Sequence, residues 1–472
     1  MVKIRMKKKT AVVVIHGIGE QRPMDTLWGF VKATWITDST LVHPSRNEVY
    51  SKPETATGSF ELRRVTTREA SAGDKKRADF FEFYWAHHMQ GHTLGGLSRW
   101  VLGLFLRKPS SVPGNLLGLW LFGVALLMAA AALALFWLTD KAGYPIIDLR
   151  GQGALVGLAS PALALLGFLI NAKVLPHAGD AARYLSAEPD NVAIRQKIRE
   201  EGVALLEKLS GNGEYDRIVM VGHSLGSVIA YDILNFAWNR LDDAAIKALH
   251  IAGSPAIDAL DQLETAGRTL RNWGSEDGSG DARTAYRDAQ RVYAGILAAG
   301  DHPVWLVSDL VTLGSPLSKA EILLARDAGD FGDRRERREF PACPPIYETA
   351  TDGKLEQFSY PVGADSRRPH HAALFGPVVW TNVYVPNRLI FFGDIVSGPV
   401  RDLFGAGVAD VHLPIGSPPG FRHLDYWKLP VEGAASPAIN ALRRALNLRG
   451  QNRDGDIWQD QAGQVPIRGG DL

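Results

Sequence analysis

The sequence predicts an α/β fold, a mostly parallel sheet flanked by helices, into which a two-helix transmembrane hairpin is inserted. Three observations lead there. Short apolar, β-branched runs alternate with helical stretches along most of the chain. One run, Arg217-Ile218-Val219-Met220-Val221, passes directly through Gly222-His223-Ser224-Leu225-Gly226 into the helical stretch 227–234. That is a strand, a tight turn and a helix, and glycines on both sides of the serine let the backbone fold sharply. Between the early runs and this turn lie two uncharged stretches of bilayer length.

Taken in order, residues 1–9 are basic and precede the first strand, Ala11 to Ile15. The apolar part is too short for a signal peptide and runs into His16-Gly17-Ile18-Gly19 without a cleavage site. Further strands are expected at 60–65 and 80–85. The stretch 94–106, with Trp100 and Phe105, reads as an interfacial segment or as an extension of the helix that follows. Residues 116–138 and 151–172 are the expected spans, the second interrupted by Ser160-Pro161. Arg99, Arg107, Lys108, Lys173 and Arg183 outweigh the balanced link 139–150, so both chain ends are expected in the cytoplasm, in a bacterial inner membrane crossed twice. After the 217–221 strand comes a polar, partly helical insert with a loop at 272–280, suited to capping a substrate pocket. Strands follow at 304–313 and 378–385, the charged run 330–338 reads as a solvated face, and an amphipathic helix at 437–448 precedes a Gly- and Asp-rich tail expected to be disordered. The resulting division is a basic segment 1–9, a first part of the catalytic domain 10–93, the hairpin region 94–176, a second part 177–430, and a helix and tail 431–472.

Composition narrows the function. Fifty-two Lys and Arg against 51 Asp and Glu leave a net charge of +1, so no global field recruits nucleic acid. A single cysteine, Cys343, excludes an intrachain disulfide and argues against a Cys-based zinc site. His87, His88, His92, His370 and His371 lack the H-E-x-x-H spacing of a metal site, and no cofactor or metal is expected.

The turn at Ser224 proposes a nucleophile, and a serine hydroxyl needs a base, a group to orient that base and donors for the developing oxyanion. The His-Gly turn after the first strand presents the Ile18 amide, and the residue after the serine presents the Leu225 amide, as oxyanion donors. His16 and Gly17 in the same turn, and His223 beside the serine, are the expected substrate contacts. Downstream, His423 follows a Gly- and Pro-rich turn and precedes an aromatic pair, which favours it as base over His412 in its apolar extended stretch. Asp394, at a glycine turn after the 378–385 strand, is the natural acid, with Asp410 and Asp425 as rivals.

Four segments in order, His16-Gly17-Ile18-Gly19, Gly222-His223-Ser224-Leu225-Gly226-Ser227, Thr312-Leu313-Gly314-Ser315-Pro316, and Trp380-Thr381-Asn382 with Gly393-Asp394-Ile395-Val396 and His423, resemble the lipase and esterase branch of the α/β-hydrolase superfamily, including its GPI inositol deacylase-like group. The resemblance spans roughly residues 10–430, with the hairpin as a departure. It implies Ser224 as nucleophile, Asp394 as acid, His423 as base, and donors at Ile18 and Leu225. The expected function is therefore a membrane-anchored serine hydrolase cleaving carboxylic esters of lipids or acylated molecules beside the bilayer. The alternative is a non-catalytic membrane scaffold that keeps the hydrolase fold.

Overall fold

The computed structural model describes residues 9–18, 22–38, 49–58, 61–68, 77–89, 102–112, 114–141, 181, 183–186, 189–273, 279–349, 356–362, 365–387, 392–414, 422–430 and 436–448. The chain divides into two compact units. One comprises Met1–Trp85, Gln196–Ala320 and Gly332–Leu472, and the other Ala86–Arg195 and Glu321–Phe331.

The first unit is built on an eight-stranded sheet. β1 (Lys9–Ile15) is a β-branched run buried at every position after Lys9, as a strand covered on both faces requires. The others are β2 (Val49–Pro53), β3 (Arg63–Thr67), β4 (Ala78–Phe83), β5 (Tyr215–His223), β6 (Val307–Leu313), β7 (Val379–Tyr384) and β8 (Ala409–His412). They lie in the order β8-β7-β6-β5-β1-β4-β3-β2. Every neighbouring pair from β8 to β4 is parallel, and only β3 and β2 are added antiparallel at the edge. Within this sheet, β2 and β8, which lie outside the strands expected from the sequence, form the two edges.

Alternation divides the core. Val12, Val14, Phe80, Val219, Val221, Val311 and Val383 face one side, where Leu27, Phe30 and Val31 of α1 (Asp25–Val31) join their cluster. The far C-terminal helix joins the same cluster through Leu442 and Leu446. On the opposite face Tyr231 of the helix after β5 packs on Trp380 of β7 at 5.6 Å between ring centroids.

In the second unit, α2 (Gly114–Lys141) covers the first expected span. Among the described residues no helix is long and apolar enough to cross a membrane. The two-span hairpin, the inner-membrane location and the membrane anchor drawn from them are therefore corrected, and the second expected span, 151–172, lies outside the described residues. The sequence criterion was freedom from charge over a bilayer length, and that criterion does not set where a helix ends. α2 continues through Asp140 and Lys141 without a break, and residues 102–106, the described part of the segment expected at the interface, fold onto it. The Trp120 indole donates to the Leu104 carbonyl at 3.1 Å, and the Phe105 ring occupies the space a side chain on Gly123 would need.

α3 (Pro189–Gly211) leads into β5, and α4 (Leu225–Asn239) leaves it. The insert expected as a cap carries two long helices, α5 (Pro255–Trp273) and α6 (Ser279–Leu297). α6 lies against the sheet. Tyr286 and Gln290 donate to the Phe375 carbonyl, both at 2.8 Å, and Arg291 binds Asp309 near the amino end of β6. α7 (Pro437–Leu446) begins at Ser436, whose hydroxyl accepts from the Ile439 amide at 3.3 Å.

One core carboxyl gives the fold a pH signature. Glu82 of β4 is 1 % exposed and accepts from the Met24 amide, while its Oε1 has no hydrogen-bond partner. Burial, with a smaller push from Asp25, raises its pKa from 4.5 to about 7. The folded state thus holds this proton more tightly than the unfolded chain, so stability is highest below the unfolded value and declines as the pH climbs towards 7. The expected loss is about 3 kcal/mol between pH 4 and 8 in urea unfolding, absent in Glu82→Gln. Equal pH slopes for the two proteins would show that Glu82 ionises freely.

Candidate active site

All the elements that carry the candidate residues end on the same side of the sheet. Parallel pairing sets Ile15 beside Gly222 and His223 beside Leu313, so the carboxyl ends of β1, β5 and β6 lie side by side. β7 and β8 continue the row, and the crevice beyond such strand ends is where open α/β sheets build sites.

Ser224 stands between β5 and α4 at φ 54° and ψ −129°, a backbone conformation that costs a non-glycine residue on the order of 1–3 kcal/mol. Close packing holds it there. A Cβ on Gly222 would lie 2.5 Å from the Gly226 carbonyl oxygen, and one on Gly226 would run into the Ile15 carbonyl. A Cβ on Gly17 would lie 2.8 Å from that of Ser224. Ser227 braces the turn, its hydroxyl donating to the Gly222 carbonyl at 2.9 Å and its amide to the Ser224 carbonyl at 2.9 Å.

His423 lies against this serine, with Nε2 2.8 Å from Ser224 Oγ. Its Nδ1 is 2.9 Å and 3.0 Å from the two Asp394 oxygens. A carboxylate only accepts, so Nδ1 carries the proton and Nε2 is left to accept from the serine hydroxyl. Asp394 is fully buried, and burial alone would raise its pKa. The hydrogen bond and charge of His423, the Tyr426 hydroxyl and the Val396 amide outweigh burial and hold it below the ordinary carboxylate range. Tyr426 donates to Oδ2 at 2.7 Å and the Val396 amide to Oδ1 at 2.9 Å. Burial first, then the Asp394 charge, pushes the Tyr426 phenol upward, so it remains a donor.

The remaining expected residues surround this series. Leu225 is the first residue of α4, where an amide has no acceptor within the helix. Ile18 follows Gly17 at the end of β1, beside the turn. His16 is buried and uses both ring nitrogens internally: Nδ1 donates to the Gly17 carbonyl at 2.8 Å, and Nε2 accepts from the Trp85 amide at 3.3 Å. His223 donates from Nε2 to the His423 carbonyl at 2.8 Å.

The rivals are elsewhere. Asp410 accepts from Asn382 at 2.7 Å and from the amides of Val400 and Arg401, fixing the chain just past the acid. Asp425 pairs with Arg422 and Lys428. His412 stacks on Tyr384. The Cys343 thiol is buried and pushed up to about 12, which removes it as a nucleophile.

Sequence reasoning gave no role to Tyr426, Ser227 or Lys319. Lys319 donates to the Ser397 carbonyl at 3.2 Å; burial lowers its pKa, and the Asp394 charge opposes that. Tyr426 had a signal, because the aromatic pair after His423 was noted for its rings rather than for its hydroxyl.

No protein-family profile, no curated protein and no solved structure matches the chain. The chemistry must therefore be read from the geometry.

Two substitutions probe this packing. Gly17→Ala forces its new methyl onto the Ser224 Cβ, and thermal unfolding is expected to show a loss of about 1–3 kcal/mol; an unchanged melting temperature would mean that the two turns are not in contact. Tyr426→Phe removes the donor to Asp394 and leaves the Val385 amide, 3.3 Å from that oxygen, without its acceptor. Denaturant unfolding is expected to register about 1–2 kcal/mol, against nothing measurable if the hydroxyl were idle.

Proposed function

We propose that this protein is a serine hydrolase that cleaves carboxylic esters, of lipids or other acylated molecules, through an acyl-enzyme. One observation carries the reading. Ser224 Oγ, His423 and Asp394 form an unbroken hydrogen-bonded series with links of 2.8 Å and 2.9 Å, beyond the carboxyl ends of a parallel sheet. The sequence motifs that resemble the lipase and esterase branch of the α/β-hydrolase superfamily support it independently.

Each group has a role that its surroundings fit. His423 Nε2 takes the Ser224 proton as Oγ attacks the acyl carbon, and the imidazolium so formed is stabilised by the ionised Asp394. The negative oxygen of the tetrahedral intermediate lies where the Leu225 amide points, with the Ile18 amide as its second donor. Collapse expels the alcohol, which receives the proton from His423. Water then enters, His423 takes its proton, hydroxide attacks the acyl carbon, and the carboxylic acid leaves as Ser224 recovers its hydrogen. Ser224 is 2 % and His423 6 % exposed, so these charges develop largely out of contact with bulk water, where fixed donors act most strongly.

A fluorophosphonate probe, which reacts with activated serines, tests the reading alongside hydrolysis of p-nitrophenyl esters of graded chain length. Wild-type protein is expected to label and hydrolyse, Ser224→Ala to do neither, and Asp394→Asn to lose about 10³–10⁴ in turnover. Equal labelling of wild type and Ser224→Ala would refute the nucleophile, and an inert wild type would favour a scaffold.

A further inference from the structure

Resting on the hydrolase reading, we propose that His223 is a positioning residue for the base: its imidazole N–H clamps the main chain of His423, so that two adjacent residues of the elbow grip one residue of the base segment. Ser224 meets the His423 ring at Nε2, 2.8 Å away, and His223 Nε2 holds the His423 carbonyl at 2.8 Å. The two grips come from residues next to each other in the chain, at the end of β5, where His223 pairs with Leu313. The elbow therefore fixes both where the nucleophile stands and where the base residue sits above it.

The base segment needs such a grip. Residues 422–430 form neither helix nor strand, so no ladder of backbone hydrogen bonds locates His423. During acyl transfer its ring must keep Nε2 aimed first at the serine oxygen and then at the departing alcohol. An imidazole whose backbone is free to shift by an ångström loses that aim.

His223 is itself held. It is 6 % exposed, the Trp427 ring meets it edge-on at 4.8 Å, and a Cβ on Gly17 would approach its Nδ1 to 3.1 Å. Its one N–H is committed to the His423 carbonyl, an acceptor that also fixes the tautomer. Burial, followed by the charge of His423, lowers its pKa to about 3. It stays neutral while the ring of His423, 5.0 Å away, gains and loses its proton. A protonated His223 would oppose that gain. This assigns His223 a role different from the substrate contact expected of it.

The test compares His223→Leu, which fills similar volume without an N–H, with His223→Gln, whose amide N–H reaches a comparable position. Thermal melts establish that each is folded. With p-nitrophenyl acetate, the Leu variant is expected to lose about tenfold or more in kcat at little change in KM, and to label with fluorophosphonate correspondingly slowly. The Gln variant is expected to recover most of that loss, a rescue that volume alone does not give. Nitrogen-15 NMR of the histidines supplies a readout that needs no turnover, and a neutral, Nε2-protonated His223 is expected at pH 5. Full activity in the Leu variant, equal impairment of both variants, or a charged or Nδ1-protonated ring would overturn the clamp while leaving an active, Ser224-dependent wild type in place. A wild type inert to both reagents removes the hydrolase reading, and the clamp with it.

Discussion

The site depends on a serine held at φ 54°, ψ −129° at the point where β5 becomes α4. This conformation lifts the side chain beyond the strand end while letting the helix begin at the next residue, which frees the Leu225 amide. It survives only where the neighbourhood leaves no alternative. Three glycines provide that neighbourhood, because side chains at 17, 222 or 226 would collide with the turn or with the end of β1. Ser227 closes the turn from inside with its hydroxyl. The strain is local, and the buried strands on either side, β1 and β6, offset it: β1 and β6 pair with β5 up to Gly222 and His223 themselves.

Electrostatics follows from the same burial. A carboxylate fully withdrawn from water is unfavourable unless its oxygens are occupied. Asp394 has two backbone amides, a phenol and an imidazole around it, enough to leave it ionised despite its surroundings. Burial prevails where fewer donors oppose it. Glu82 and Cys343 are pushed towards their protonated forms and His223 towards its neutral form. Among these buried groups, ionisation is retained at the acid that faces the base.

What the sequence disclosed follows the range of each signal. β1 and β5 are continuous apolar runs beside glycine turns, and a short window suffices to find them. The three residues Ser224, Asp394 and His423 were chosen from turn chemistry and chain order, and the structure brings them into contact. β8 is only four residues long, and its role depends on pairing with β7, which no local pattern announces. Asp410 stands in the sequence as a rival acid. Its engagement with Asn382 and two amides is a matter of strand neighbours 28 residues apart. The hairpin failed for a different reason, since freedom from charge describes side chains and says nothing of how far a helix continues or what folds back on it.

Three of the hydrogen bonds that join the base segment to the rest of the site each constrain a different freedom. The Arg422 amide donates to the Gly393 carbonyl at 2.8 Å, tying the start of the segment to the chain just before the acid. Three residues past His423, the Tyr426 hydroxyl reaches Asp394 itself, so the acid touches the base through its ring and again through its own downstream neighbour. The third tie, from His223, comes from the elbow and lands on the His423 carbonyl. The first two move with the acid loop, which Asp410 and Asn382 secure to β7 and β8 in turn. Those two ties hold acid and base together against β7 and β8, and from the elbow the Ser224 hydroxyl meets the His423 ring in a hydrogen bond. That bond is broken and remade as the proton moves, so it cannot serve as a fixed spacer. The His223 tie is independent of the proton, and it links the nucleophile's strand to the base at every stage of the cycle.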